Sequence, residues 1–358
     1  MMKEKNKETR FVIGPVLMHP GVDTMTVLWE TDKETIGGVT YSRRGGKRHA
    51  VGSEVRECLH RVTIRGLEAA TIYDYSVVSD GKVSFRGSFR TLPDKGPYRV
   101  AVLGDPHAPA TGLNKLISRI DKEKPDFIVT LGDLVVSSQR KENWLSFFEM
   151  GGPLFDHIPF MSLIGNHDAK RETGLYDRYM GRLDGTPEGY YYHTTQVTSD
   201  FFIFLDSRND LLFFHHGFWL INLLKGLEKR KDIRHIFVFS HLGPVSYKEL
   251  RRGFIGLKPL LPLMGRAGVS AIFSGHDHHY VRGRIHWGFP FFISGGGGGK
   301  LYSVNLWNPY AWLVGKREFW KETHQFMIID VADDHCSVKA LDENGTVIDE
   351  VGLSPRKR

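Results

Sequence analysis

The stretch that decides the fold is Phe127-Ile128-Val129-Thr130-Leu131-Gly132-Asp133, a strand-like run that ends in a glycine and a carboxylate. Runs of the same kind lie on both sides of it, and most of them also end in a polar motif. They occupy residues 99–103, 160–164, 201–205, 235–239 and 269–273. Apolar runs of this length are typical of strands that are buried on both faces of a sheet.

Helical patterns alternate with these runs. Leu113, Leu116, Ile117 and Ile120 stand at helical spacing, and a second helix is predicted near residues 219–227. This alternation predicts an α/β domain whose binding loops follow the carboxyl ends of the strands. The Gly-, Trp- and Tyr-rich residues 293–322 are predicted to form loops that close the site, and residues 326–331 and 337–341 to form final strands.

The first part of the chain has a different pattern. Between residues 11 and 92, apolar positions such as Val27 and Trp29 alternate with polar ones, and turn-forming pairs such as Gly45-Gly46 and Asp80-Gly81 separate the stretches. Several short strands at this spacing predict a β-sandwich. Residues 93–97, Pro-Asp-Lys-Gly-Pro, are predicted to link it to the α/β domain.

Five motifs at predicted strand ends carry side chains that bind metal ions. They are Gly104-Asp105-Pro106-His107, Leu131-Gly132-Asp133, Gly165-Asn166-His167-Asp168, His241 and Gly275-His276-Asp277-His278. A carboxylate can bridge two ions that lie about 3.5 to 4 Å apart. Taken singly, each motif is most simply interpreted as an ordinary turn or a structural histidine. Ligand types at five strand ends together indicate a two-metal hydrolase of phosphate esters.

The order of these motifs resembles the calcineurin-like metallophosphoesterase superfamily, whose pattern is D-x-H, G-D, G-N-H-D/E, a lone H and G-H-x-H. The resemblance covers about residues 98–350 and implies a four-layer αββα sandwich. Two earlier stretches, residues 60–64 (His-Arg-Val-Thr-Ile) and 71–75 (Thr-Ile-Tyr-Asp-Tyr), resemble the fibronectin-III-like domain that precedes the catalytic domain of purple acid phosphatases. The expected domains are therefore residues 1–93 and 97–354.

The resemblance also implies a role for each motif residue. Seven residues would hold two transition-metal ions: Asp105, His107 and His278 one ion, Asn166, His241 and His276 the other, with Asp133 as the bridge. His167 is then left for catalysis as general acid or charge stabiliser, while a metal-activated hydroxide attacks phosphorus in line in a mono- or diester. Asp168 is expected to orient the His167 imidazole.

One departure separates this sequence from the purple acid phosphatases. Those enzymes carry D-x-G in the first motif and a tyrosine ligand three residues after the Gly-Asp aspartate, whereas these positions here hold His107 and Val136. The tyrosinate-to-iron charge-transfer colour should therefore be absent, and His107 is expected to substitute as ligand. Nitrogen and oxygen donors without thiolate leave Mn, Fe, Zn and Co as alternatives for the metals.

The composition of the chain limits which substrates and other partners are expected. The 358-residue chain has 48 Lys and Arg against 41 Asp and Glu, and its formal net charge of +7 suits an anionic substrate. A small phosphate ester is the expected partner, with nucleic acid as a less favoured alternative. No apolar run predicts a membrane span, and no signal peptide pattern is seen, which favours the cytoplasm over an exported form whose signal was removed. Cys58 and Cys336 do not suggest a disulfide, and the oligomeric state is not indicated.

Two competing functions would use the same fold. A nuclease with the same dinuclear site would account for the basic excess, and a non-catalytic scaffold would have lost ligands. All seven candidate ligands and His167 are present in this chain, so hydrolysis is the preferred interpretation.

Several further features carry weaker expectations. Arg208 is a candidate phosphate contact, although a solvated loop arginine is the more ordinary interpretation. Glycines 295–299 are expected either to approach substrate or to form a flexible turn. The aromatic stretch 307–320 is expected to pack a loop against the core rather than to stack bases. Structural roles are expected for His193, His215, His216 and His286, and His279 is left out of the ligand set.

Overall fold

The structure, a computed structural model, describes residues 9–169, 174–181, 190–208 and 210–356, the last range without the side chains of residues 210–215. The chain forms two compact units, Met1–Leu92 with Phe148–Phe160, and Pro93–Phe147 with Met161–Arg358. The first unit thus includes a segment from the middle of the second predicted domain, and the domain bounds 1–93 and 97–354 stay a prediction.

The first unit is all-β in its N-terminal part, which confirms the prediction. Its strands are β1 (Phe11–Met18), β2 (Thr24–Arg43), β3 (His49–Arg65), β4 (Ile72–Ser79) and β5 (Lys82–Arg90). The 20-residue β2 pairs antiparallel with β1, β3 and β4, and β5 pairs with β4. The buried Trp29 stacks on His60 with ring centroids 4.8 Å apart, and Tyr75 donates a 2.7 Å hydrogen bond to the Asp156 carbonyl. Aromatic residues therefore fill this core, and the hydroxyl of Tyr75 is satisfied within it.

Two sheets form the second unit, which is a mixed α/β sandwich as predicted. The first sheet has the order β18-β17-β16-β6-β7-β8, with β6 (Tyr98–Leu103), β7 (Phe127–Thr130), β8 (Phe160–Ser162), β16 (Gln325–Val331), β17 (Cys336–Asp342) and β18 (Val347–Gly352). Strands β6 and β7 are parallel, and β16 runs antiparallel to both β6 and β17.

The second sheet has the order β15-β13-β14-β12-β11-β10-β9. Its strands are β9 (His193–Val197), β10 (Asp200–Leu205), β11 (His235–Ser240), β12 (Ala271–Ser274), β13 (Tyr280–Ile285), β14 (Pro290–Ser294) and β15 (Gly315–Lys321). Strands β10, β11, β12 and β14 are parallel neighbours. Parallel strands end at one edge, so the loops that follow them converge.

Aromatic rings fill the space between the two sheets. Phe202 of β10 lies 5.8 Å from Phe127 of β7 and 6.3 Å from Tyr98 of β6, between ring centroids. On the other face of the second sheet, Leu220 and Leu224 belong to the same buried cluster as strand residues. Apolar side chains on both faces explain why these strands have no polar alternation.

The helices are few. They are α1 (Gly112–Glu123), α2 (Lys141–Phe155), α3 (Leu175–Met180), α4 (Asp210–Lys229), α5 (Leu261–Ala267) and α6 (Pro309–Trp312), with a 3-10 helix at Ile255–Leu260. The predicted helices around Leu116 and Leu223 correspond to α1 and α4. Among the residues that the structure describes, no helix has the length and apolar character to span a membrane.

The expectation that residues 293–322 form only loops is wrong, because they contain β15 and α6. Strand β15 lies at a sheet edge, and its sequence Gly-Lys-Arg-Glu-Phe-Trp-Lys contains four charged residues. Glu318 on this strand pairs with Arg282 and Arg284 of the neighbouring β13. Charged side chains protect an edge from further pairing, but they also hide the strand from a search for apolar runs.

A buried histidine makes the stability of the fold pH-dependent. His235 at the start of β11 is 1% exposed and hydrogen-bonds the Ser270 hydroxyl through Nδ1, and burial lowers its pKa from 6.5 to about 4. In the unfolded chain the His235 imidazole is therefore protonated below about pH 6.5, whereas in the folded chain it stays neutral until the pH falls to about 4. We expect stability to fall by about 3 kcal/mol over this interval.

The measurement is denaturant unfolding at pH 7.5 and at pH 4.5 of the wild type and of His235→Gln, which keeps a hydrogen-bonding side chain without a titrating group. All other titrating groups are the same in the two proteins. The free energy of unfolding should therefore fall less for the variant than for the wild type between pH 7.5 and pH 4.5. An identical pH dependence in both proteins would contradict the assignment.

Candidate metal centre

Each of the five motifs follows a strand of one of the two sheets, four of them directly and Gly165-Asn166-His167-Asp168 after two intervening residues. Strands β6, β7 and β8 end at Leu103, Thr130 and Ser162, and β11 and β12 end at Ser240 and Ser274. The structure brings the donor atoms of the motifs together in three overlapping groups, each with donor atoms within 4.8 Å of one another. The groups are Asp105, His107 and His278; Asp133, His241 and His276; and His107, Asp133 and His167.

The first group contains buried polar atoms that lack a protein partner. His278 Nε2 lies 3.4 Å and His107 Nε2 3.9 Å from Asp105 Oδ1. Within the described part of the chain, neither Asp105 Oδ1 nor His107 Nε2 makes a hydrogen bond. Buried polar atoms are nearly always satisfied. These atoms therefore fit a metal ion, which would bind both of them.

The second group surrounds His241 with acceptors. Its Nδ1 donates to the Leu131 carbonyl at 2.7 Å, and its Nε2 faces Asn166 Oδ1 at 3.0 Å and Asp133 Oδ2 at 3.3 Å. Burial alone would lower the pKa of His241, but the charge of Asp133 outweighs it and raises the pKa to about 10. The oxygens of Asn166 and Asp133 and the Nε2 atom of His241 thus lie close enough together to bind one cation.

Asp133 joins the two groups. Its Oδ2 lies 3.4 Å from His107 Nε2 and 3.3 Å from His241 Nε2, and its Oδ1 accepts a 2.7 Å hydrogen bond from the His167 backbone N–H. Burial opposes its charged form, yet the imidazoles of His241 and His107 hold its pKa well below the usual range. One carboxylate thus contacts both groups of donors, as a bridging ligand must.

Carbonyl groups orient the imidazoles. His278 Nδ1 donates to the Lys300 carbonyl at 2.7 Å, and His241 does the same with Leu131. Such contacts fix the tautomer and turn Nε2 towards the site. Neither carbonyl partner could be predicted from the sequence, because a backbone carbonyl has no signature there.

Several donor residues have unusual backbone conformations. Asp105, His107, Asp133 and His276 have φ of 54°, 49°, 51° and 67°, in the left-handed region that disfavours residues with a Cβ. Such strain is found where the surrounding structure enforces it for a function. Four strained residues in one cluster support a functional site rather than a set of ordinary turns.

His167 differs from the other histidines in its exposure. Its side chain is 42% exposed, its Nδ1 donates to the Val136 carbonyl at 2.8 Å, and its Nε2 lies 4.0 Å from Asp133 Oδ2. The imidazole is therefore oriented by a backbone carbonyl and presents Nε2 at the edge of the site.

The expectation that Asp168 orients the His167 imidazole is wrong. Both Asp168 oxygens accept hydrogen bonds from backbone N–H groups, Oδ2 from Gly165 at 3.0 Å and Oδ1 from Leu134 at 3.0 Å. Burial and the charge of Asp133 raise its pKa to about 7. The two neighbouring side chains point in different directions. Asp168 joins the loop after β7 to the loop after β8 through hydrogen bonds, while His167 faces the site.

Gly165 has no room for a side chain. A Cβ there would lie 2.1 Å from Asp133 Oδ1 and 2.2 Å from the Asp133 nitrogen. Gly165→Ala is expected to displace the Asp133 carboxylate and to lower both metal content and any metal-dependent activity. The expected loss of activity is about tenfold to 100-fold, because displacements of about 1 Å can cost that much. Gly152→Ala is the matched control, since nothing lies within 4 Å of its Cβ position. Metal analysis and rates of both variants check this, and full metal binding by Gly165→Ala would contradict it.

The weaker expectations have mixed outcomes. Arg208 is not a solvated loop residue, because its side chain is 5% exposed and holds Asp206 through Nε at 2.8 Å and Nη2 at 2.6 Å. The 295–299 glycines pack against the ligand loops, with the N–H groups of Gly297 and Gly299 donating to the carbonyls of Gly104 and Asp105. These N–H groups are therefore not offered to a substrate.

The aromatic stretch does not pack uniformly against the core as expected, because Trp307 is 77% and Trp312 51% exposed. Among the histidines whose side chains the structure describes, the remaining ones lie outside the three donor groups. His279 Nδ1 bonds the Tyr302 carbonyl, His193 stacks on Phe204, and His286 Nε2 bonds the Trp312 carbonyl; the side chain of His215 lies outside the described residues.

The fold and this donor set define a class of protein. The chain belongs to the calcineurin-like phosphoesterase family, whose pattern matches residues 98–280, just over half of its length. It is similar to the probable purple acid phosphatase 20 of Arabidopsis thaliana, with 26% identity over 316 residues that cover 78% of this chain and 72% of the relative.

Two solved structures share the fold. The purple acid phosphatase PPD1 from yellow lupin (Lupinus luteus) seeds has a TM-score of 0.81 at 18% identity, covering 95% of this chain and 74% of that one. PhoD has a TM-score of 0.73 at 12% identity, covering 97% and 94%. The resemblance inferred from the motifs is thereby confirmed, including the purple acid phosphatase-like architecture.

Proposed function

We propose that this protein hydrolyses phosphate mono- or diesters at a dinuclear metal site. The observation that carries the proposal is the position of Asp133, whose Oδ2 lies within 3.4 Å of histidines from both donor groups. Asp105, His107 and His278 would hold one ion, and Asn166, His241 and His276 the other. Bound Mn, Fe, Zn or Co would lower the pKa of a coordinated water and neutralise charge on the phosphoryl group.

His167 is the group proposed to act on the leaving oxygen. Because its Nδ1 is engaged by the Val136 carbonyl, Nε2 is the ring atom that can reach a substrate. A half-exposed imidazole beside the donor groups can protonate a leaving oxygen, a role that contributes about 10²- to 10⁴-fold in enzymes. Val136 stands where purple acid phosphatases have a tyrosine ligand, and it offers only its carbonyl, so the metal-loaded protein should lack their colour.

The substrate is proposed to be a small phosphate ester. The net charge of +7 and the arginines beside the donor groups favour an anion. Each acidic residue of the donor set already contacts candidate ligands or loop backbone. An anionic substrate would therefore meet the proposed cations and not an unpaired carboxylate.

The test is reconstitution with Mn, Fe, Zn or Co, each alone and in pairs, followed by assays with p-nitrophenyl phosphate, its bis ester, and single- and double-stranded DNA. Turnover of an ester with about two ions bound per chain supports the proposal. Faster cleavage of DNA with steep salt dependence would favour the nuclease instead. Two bound ions without turnover of any substrate would favour the scaffold.

A further inference from the structure

A cavity of about 400 Å³ opens directly beside the donor groups, within the second unit. Asn166 and His276 line it on the side of the candidate metals, and Arg208, Arg251 and Arg252 also line it. Small-molecule pockets commonly enclose about 300 to 1,000 Å³. The cavity is therefore large enough for a part of the substrate beyond the phosphate that reacts.

The charges around this cavity do not cancel. Arg208 is balanced by Asp206, and the carboxylate of Asp277 accepts hydrogen bonds from the Tyr247 and Lys248 backbone at 2.7 and 3.2 Å. In the described ranges, Arg251 and Arg252 form no ion pair with a carboxylate: Arg251 donates to His276 Nε2 at 2.5 Å, and Arg252 lies over the Tyr310 ring at 5.0 Å. These two guanidinium groups therefore have no carboxylate partner and can attract an anion.

The loop that carries these arginines, residues 243–254, is held in place at several points. The Phe254 N–H donates to the Gly243 carbonyl at 2.7 Å and closes the loop. The buried Asn308 donates through Nδ2 to the carbonyls of Ser246 and Arg251 at 2.9 and 2.7 Å. A preorganised loop loses less entropy when it binds a ligand than a mobile one.

The same loop is attached to the candidate metal ligands. Asp277, which stands between His276 and His278, accepts a 2.8 Å hydrogen bond from the Ser246 hydroxyl in addition to its backbone contacts. Arg251 contacts His276 itself. Where a metal ion takes that nitrogen, the guanidinium group loses its acceptor and its charge is available to an incoming anion.

We infer that this cavity binds a second anionic group of the substrate, held by Arg251 and Arg252, so that the substrates are phosphate esters that also carry another phosphate or a carboxylate. The inference rests on the proposed phosphoester hydrolysis and narrows its substrate class. The proposed ions would neutralise the charge of the reacting phosphate, which leaves the two guanidinium groups for a second anion. Arg208, fixed by Asp206, forms part of the same wall.

The test compares two ligands that cannot be hydrolysed, butylphosphonate and butane-1,4-bisphosphonate, by calorimetric titration of the Mn-loaded protein. The bisphosphonate has two equivalent ends, which by themselves account for a twofold advantage. We expect it to bind at least tenfold more tightly than the monophosphonate. In Arg251→Gln and Arg252→Gln the advantage should fall towards twofold.

The matched control is Arg284→Gln, which removes an equally positive side chain that pairs with Glu318 on β15, outside the residues that line the cavity. This control should keep the full advantage. A twofold ratio in the wild type, or a tenfold ratio that persists in the Arg251→Gln/Arg252→Gln double variant, would overturn the inference. The wild-type ratio decides even where a variant fails to fold.

Hydrolysis assays then decide whether the second anion is a phosphate or a carboxylate. They compare butyl phosphate, which has no second anion, with butane-1,4-bisphosphate and with the phosphate ester of 4-hydroxybutanoate. The failures of the two proposals differ. A protein that cleaves p-nitrophenyl phosphate but shows no bisphosphonate advantage keeps its function and loses this inference. A protein that prefers the bisphosphonate but cleaves no ester does the reverse.

Discussion

Replacement of Asp133 by Asn is expected to abolish phosphoesterase activity and metal binding together. The substitution keeps the size of the side chain but removes the negative charge that faces His107 and His241 at 3.4 and 3.3 Å. Both proposed ions would lose their shared anionic ligand. We expect metal content to fall from about two ions per chain to less than one, and rates to fall by at least about 10⁴-fold, because the proposed chemistry depends on the ions.

Elemental analysis and steady-state rates measure the two effects on the same preparation. Asp74→Asn is the matched control, since Asp74 is an exposed aspartate on β4, and it should change neither quantity. A fully metal-loaded but inactive Asp133→Asn protein would show that the carboxylate does not bridge. Full activity would exclude Asp133 from the site.

Replacement of His167 by Ala is expected to keep the metals and lose rate. The side chain is 42% exposed, and its backbone N–H, which holds Asp133, is retained in the variant. Loss of a general acid should lower turnover by about 10²- to 10⁴-fold. The loss should be larger for alkyl phosphates than for p-nitrophenyl phosphate, because a poor leaving group depends more on protonation.

His157→Ala is the matched control, as His157 is a histidine of similar exposure, 38%, that pairs with Asp156. It should leave metal content and both rates unchanged. His167 also belongs to a donor group with His107 and Asp133, so metal analysis separates the two roles. A drop in metal content on removal of His167 would make it a ligand, and an equal loss for both leaving groups would exclude a general acid.

The sequence predicted much of the architecture because its evidence was local. Strand runs such as residues 127–131 are apolar throughout, and the order of the five motifs is specific to one family. Proximity of the seven donor residues followed from their common position after strands. Strands β9, β13, β14 and β15 were not predicted. Of these, β15 lies at a sheet edge and carries charged residues instead of an apolar run.

The finer features of the site depend on contacts that no motif records. The roles of Asp168 and Arg208 were misjudged, since one binds backbone N–H groups and the other is buried against Asp206. The arginine-lined cavity is formed by loop residues that Asn308 and Asp277 hold beside the site. Long-range hydrogen bonds of this kind cannot be deduced from spacing along the chain.

The donor residues are widely separated along the chain, and this has a consequence for biosynthesis. Asp105 Oδ2 accepts a hydrogen bond from the His276 N–H across 171 positions. A ribosome that has released only the first strands of the second unit has produced carboxylates without their histidine partners. Full coordination of the proposed ions would therefore wait until both sheets have formed, so we expect metal insertion to be a late step of maturation.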